Sequence, residues 1–198
     1  MPNTDPPTQT QQTPASSARN QADAAFILTL AGLGWELFGL GAFGGLPVPL
    51  LLPLLAIFAL LLTATLQTQH RLRHITPTPQ SPTVQRVFKQ AIAFEFVVIV
   101  LAVVITSILH KTAFILPVVA LAVGLHFLPL ARVLHRPLYY VTGGALCLLG
   151  VGVPLLVPAQ IGTGHIAGWQ LVLGLLGGVV VWLTTIALLV RSRTGAGV

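Results

Sequence analysis

Apolar residues fall into six long runs, roughly 24–43, 48–66, 87–109, 113–131, 138–157 and 169–190, separated alternately by very short links and by longer, basic ones. Each run comes close to the roughly 20 residues that a helix needs to cross the hydrocarbon core of a bilayer. Lipid offers no partners to backbone N–H and C=O groups, so a spanning segment must satisfy them internally. Runs of this length without alternation are therefore read as helices, since barrel strands would be shorter and would alternate polar with apolar. The links 44–47 and 110–112 leave room only for an antiparallel return. The expected fold is all-α: a polytopic integral membrane protein of six transmembrane helices arranged as three sequential helical hairpins.

Outside these runs the composition changes. Residues 1–23 are mostly Pro, Thr, Gln and Ser and cannot bury enough apolar surface to offset their conformational entropy, which predicts a disordered cytoplasmic tail. The transmembrane domain then covers 24–190, and 191–198 form a second short cytoplasmic tail. The first run is too long, and too interrupted by Glu36, for a signal-peptide core, and it is expected to remain in the mature protein. Residues 67–85, with the Pro-rich "TPTPQSPT", read as a flexible loop.

Charge refines this picture. Only 7% of the 198 residues are charged, against roughly a quarter in an ordinary soluble domain, so a water-facing surface is excluded. Nine of the ten Lys and Arg residues lie in alternate connections: Arg19; Arg71, Arg73, Arg86 and Lys89; Arg132 and Arg136; Arg191 and Arg193. Lys111 alone falls on the other side. Positive residues mark the cytoplasmic face, which puts both termini in the cytoplasm and, in a bacterium, the protein in the inner (plasma) membrane. The net charge of +6 does not indicate nucleic acid, because the cations are strung between apolar runs without interleaved aromatics. The lipid bilayer is the expected partner.

Three titratable residues stand inside the runs: Glu36 in the first, Glu95 in the third and His126 in the fourth. An acid at mid-membrane costs about 2.5 kcal/mol or more, so such residues face the bundle interior or a wet cavity and are candidates for function. Counting about 1.5 Å per residue puts Glu36 near the midplane, roughly 16 to 18 Å along its helix. Glu95 and His126 lie about eight and five residues from the same ends of antiparallel neighbours, so their depths match to within about a turn and the two can meet. A carboxylate beside an imidazole is suited to trading a proton. The plainer alternatives are a His126 that donates to a carbonyl on the next helix and a protonated Glu36 acting as interhelical glue.

Two prolines, Pro117 and Pro129, are expected to kink the fourth helix, and Pro129 frees the carbonyl of Leu125 beside His126. Small residues mark close-packing faces: Gly32 and Gly39 flank Glu36 at helical spacing, Gly143 lines the fifth helix with Cys147 and Gly150, and Gly174 with Gly178 lines the sixth. Packing within the bundle is the first use of such faces, and a homo-oligomer the second. Glu36 and Glu95 occupy similar places in the first two hairpins, a hint of a degenerate repeat.

Several kinds of chemistry are excluded or left without support. The segment "GLGAFG" at 39–44 spells a dinucleotide fingerprint, but it closes an apolar helix instead of following a strand. The only aspartates, Asp5 and Asp23, lie in the tail, so no buried Ser/His/Asp set is available, and no catalytic residues are assigned. With the single Cys147 and only a His70/His74 pair in a loop, no metal site or cofactor is expected.

The block "GLHFLPLARVLHRPLYYVTG", residues 124–143, resembles a segment of a family of small multi-span bacterial membrane proteins. It covers about a tenth of the chain, and the resemblance implies no activity. The residues themselves leave three readings. The first is a small proton- or cation-linked transporter or channel-like carrier whose pathway includes Glu36, Glu95 and His126, for an unknown solute or ion. The second is a non-catalytic lipid-binding or scaffolding subunit with its acids sealed. A membrane enzyme acting on lipid is the third, and it has only Glu95 and His126 to draw on.

Overall fold

A computed structural model describes residues 14–44, 47–76, 81–161 and 166–195. Six helices long and apolar enough to cross a membrane make up almost all of it. They are α1 (Pro14–Leu40), α2 (Val48–Arg71), α3 (Pro82–Ile108), α4 (Ile115–Leu134), α5 (Pro137–Leu156) and α6 (Gly168–Gly195). The one sheet among the described residues is a two-residue ribbon, β1 (Gln160–Ile161) against β2 (Ile166–Ala167), in the connection from α5 to α6.

All six apolar runs are helical, and the three expected hairpins, α1 with α2, α3 with α4 and α5 with α6, are each packed. The most extensive packing, however, joins α1 to α6 and α4 to α5, so the helices form a chain of neighbours running α2, α1, α6, α5, α4, α3. Within this arrangement α3 leans on α4 and has no other substantial helix contact among the described residues. Much of its surface is correspondingly exposed and apolar, including Phe88, Phe94, Phe96, Val100 and Ile108.

The helices outrun the apolar runs chiefly at their basic ends. The first helix begins at Pro14, so residues 14–23 are helical and not part of a disordered tail; residues 1–13 lie outside the described residues. Likewise α2 continues to Arg71, α3 begins at Pro82, and α6 reaches Gly195, which shrinks the expected 67–85 loop at both ends. Residues 77–80 and 196–198 lie outside the described residues. Apolar counting finds the hydrocarbon-spanning part of a helix, whereas here polar residues carry each helix further through local caps and long-range partners. Ser81 caps α3, its hydroxyl accepting from the N–H of Val84 at 3.3 Å, with Pro82 preset for the first helical position.

The early start of α1 has identifiable partners. Arg19 donates to the carbonyl of Gln69 at 2.8 Å and pairs with Asp23 at 3.4 Å, and Gln69 donates back to Asp23 at 3.0 Å. Arg136, at the entry to α5, donates to the hydroxyl of Ser17 at 2.6 Å. With its amide oxygen turned toward Arg136, Gln21 accepts from that guanidinium at 2.8 Å. These contacts tie the start of α1 to the end of α2 and to the α4–α5 link. Each charged hydrogen bond of this kind is worth about 1.5 to 3 kcal/mol before solvent screening. Arg136→Ala should therefore speed amide hydrogen exchange across residues 14–23 by about tenfold, with α6 unchanged. Equal exchange in both proteins would show that the clamp carries no stability.

Tight returns join the hairpins. His110 and His135 adopt left-handed backbone, with φ of 54° and 51°. Each lets the next N–H reach back five residues, from Lys111 to Thr106 at 2.7 Å and from Arg136 to Ala131 at 3.0 Å, satisfying carbonyls that the helix end leaves open. The "GLGAFG" segment ends α1 and enters a short 3-10 turn closed by Gly44 at φ 73°. It holds no strand and opens no helix.

Pro117 lies in the first turn of α4, where the N–H it lacks would have no helical partner, so it breaks no internal bond and is not a kink site. Pro129 is interior to α4, which continues through it to Leu134.

Candidate functional site

Two interfaces receive the intramembrane acids, and they differ in kind. The α1–α6 interface is built on glycine. An added Cβ at Gly174 would run into the backbone of Gly39, and one at Gly39 would meet Gly174 and Leu175 backbone at 3.0 Å. At Gly32 the indole of Trp182 fills the space, its ring N–H donating to the carbonyl of Thr29 at 3.2 Å. At Gly177 the space is taken by Trp35.

Glu36 fits into this seam. Its side chain lies across Gly178, where a Cβ would stand 2.5 Å from the carboxylate oxygen. It is 3% exposed, and no hydrogen bond reaches its carboxyl from any described residue. Gly32, Glu36 and Gly39 thus share one face of α1, and Gly174 and Gly178 face them from α6.

Glu95 and His126 meet at the other interface. Oε2 of Glu95 is 2.5 Å from Nδ1 of His126, with the two side chains 21% and 13% exposed. The two side chains are in direct contact, and among the described residues Nδ1 has no hydrogen-bond partner. The imidazole is held from behind by Phe127, stacked at 4.9 Å between ring centroids and 8° between planes. Phe127 in turn belongs to the central core with Tyr139 and Leu146 of α5 and Val181 of α6. The histidine is fixed by the core while the glutamate is brought to it by the outlying helix.

Beside the pair a cavity of about 260 Å³ opens along the α3–α4 groove. From α3 it is lined by Val87, Gln90, Ala91 and Phe94, which share one face at helical spacing, and from α4 by Leu125, His126 and Pro129. Pro129 has no N–H to offer the carbonyl of Leu125, one turn before it. The lining is mainly apolar, with His126 and Gln90 as its polar side chains.

Of the three titratable candidates, Glu95 and His126 are brought together and Glu36 is held in a separate seam. The hairpin resemblance between Glu36 and Glu95 stops at position, because Glu36 faces α6 whereas Glu95 faces α4 within its own hairpin. Gly143 takes part in another close crossing, α4 on α5, where an added Cβ at Gly143 would meet the Gly124 carbonyl at 2.6 Å and one at Gly124 would meet Cys147 Sγ at 2.6 Å. Gln90, Phe127 and the Ser17–Arg136 contact were not singled out by sequence. The i, i+4 spacing of Arg19 and Asp23 was available as a sign of helix in the supposed tail. Gly45 and His165 lie outside the described residues, and among the described residues no group of three His, Cys, Asp or Glu could hold a metal. The chain matches no family model, no curated protein and no solved structure.

Proposed function

We propose that the chain is a multi-pass inner-membrane protein with both termini in the cytoplasm, and that it exchanges a proton at Glu95 and His126 in step with a small solute or cation that it carries. The observation that supports this reading is the 2.5 Å approach of an acid to an imidazole at the edge of a cavity. An acid and a base in contact can pass a proton without backbone movement, and an imidazole is the side chain best suited to doing so near neutral pH. Orientation rests on the nine Lys and Arg residues at one end of the helices and Lys111 at the other. Glu36, packed over Gly178 and in contact with neither partner, falls outside this pair, and the pathway is narrowed to Glu95 and His126.

Infrared titration of the protein in lipid tests the reading. A carboxyl-stretch band that disappears in Glu95→Gln should respond to bulk pH and should shift in His126→Gln, while the band assigned through Glu36→Gln ignores the histidine change. If the Glu95 band is blind both to pH and to His126, the pair exchanges no proton and the proposal fails. An interhelical side-chain contact in a membrane is worth about 0.6 kcal/mol on average, so these variants should still fold.

A second reading, a lipid-binding subunit, is favoured by where the cavity opens. Its flanks Phe94 and Leu125 are 52% and 47% exposed on surfaces that would face acyl chains.

A further inference from the structure

We propose that the α3–α4 groove is a seat for one anionic phospholipid of the surrounding leaflet, with an acyl chain lying in the cavity beside His126 and the headgroup phosphate held by Arg132 and Arg86. The inference goes beyond proton exchange and does not depend on it.

The groove has the polarity of such a lipid. Its deeper part is apolar, walled by Val87, Ala91, Phe94 and Leu125. Moving from there toward the basic end, Arg132 comes three residues after Pro129 and seven after Leu125, on the same face of α4. On α3, Arg86 precedes Gln90 by four residues and so lies one turn nearer that end. Both arginines are exposed, and no ion pair or hydrogen bond occupies either guanidinium among the described residues. Glu95, the acid nearest the groove, is in contact with His126.

The size and open side of the cavity suit one end of an acyl chain. Pockets for drug-sized ligands run from about 300 to 1,000 Å³, whereas this cavity holds about 260 Å³ and opens sideways along the groove. It suits one end of a long, thin molecule whose remainder lies outside. Because α3 packs substantially on α4 alone, the groove mouth is not covered by another described helix. Phosphate recognition then needs only the two arginines, whose planar donors suit a phosphate oxygen pair.

The test compares retention of phosphatidylglycerol and phosphatidylcholine by native mass spectrometry, with the protein in mixed micelles containing both lipids at equal concentration. Wild type should retain one phosphatidylglycerol in preference to phosphatidylcholine. Removing one cation from an anionic lipid surface should lower that preference about fivefold, so Arg132→Gln and Arg86→Gln should each do so. Gln90→Trp, at an exposed position on the mouth, should lower retention of both lipids by filling the groove. Arg71→Gln with Arg73→Gln, at the same end but away from the groove, should change nothing. An undiminished preference in the Arg132→Gln, Arg86→Gln double variant, or an equal loss in the Arg71, Arg73 control, would overturn the seat. Neither result bears on the Glu95 infrared band, so failure of the two proposals can be told apart.

Discussion

Gly174→Ala should cost about 3 kcal/mol or more of stability, the largest loss expected from a single added methyl in this protein. Overpacking a well-filled interior costs about 1 to 3 kcal/mol when neighbouring side chains can adjust. At Gly174 the obstacles are backbone: the Cα and N of Gly39 and the carbonyl of Trp35. No rotamer change relieves them, so the helices must separate along the most extensive interface in the bundle. Gly34, Gly144 and Gly152 supply the control, since a Cβ at any of them meets nothing within 4 Å. Alanine there replaces the poorest common helix former other than proline and should be neutral, or stabilising by up to about 1 kcal/mol. Thermal unfolding in detergent micelles, followed by circular dichroism, would rank the variants. If Gly174→Ala proved as stable as Gly34→Ala, the close approach of α1 and α6 would be wrong.

Proton movement should fall by about a hundredfold, or to the background of empty vesicles, in Glu95→Gln and in His126→Gln. The measurement is pH change inside dye-loaded liposomes under an imposed potassium diffusion potential. Glutamine keeps the size of either side chain while removing the exchangeable acid or base, so the loss reports chemistry more than packing. The exchanged variant, Glu95→His with His126→Glu, puts an acid and an imidazole back in contact and should recover part of the rate. Glu36→Gln should conduct like wild type, because Glu36 touches Gly178 and not the pair. A Glu95→Gln protein that conducts normally would remove the carrier reading.

How much of this could be read from sequence depended on the distance over which each signal acts. The six spans were legible because a run of apolar residues is local and strong. The meeting of Glu95 and His126 was legible in part, since a three-residue link fixes the relative depth of two antiparallel helices; which way each side chain points is set by packing, here by Phe127 behind the imidazole. The start of α1 was missed because its helix is held by groups far off in sequence, Gln69 at 50 residues from Arg19 and Arg136 at 119 from Ser17. Glycine spacing identified Gly32 and Gly39 as a packing face but did not name α6 as its partner. The apolar run from 113 puts Pro117 inside a helix, whereas α4 begins at Ile115 and leaves Pro117 harmless in its first turn.

The pairing of α1 with α6 also bears on how the bundle is made. Trp182 and the carbonyl it bonds, that of Thr29, are 153 residues apart, so the largest interface closes across the first and last of the six helices. During synthesis α1 enters the membrane with its glycine groove open and Glu36 uncovered, and nothing among α2 to α5 supplies the complementary surface. Interfaces between near neighbours in sequence can form as each hairpin arrives, but this one must wait for the sixth helix and bears the loop-closure entropy of everything between. The seam that contributes most to the finished bundle is therefore absent from every shorter nascent chain.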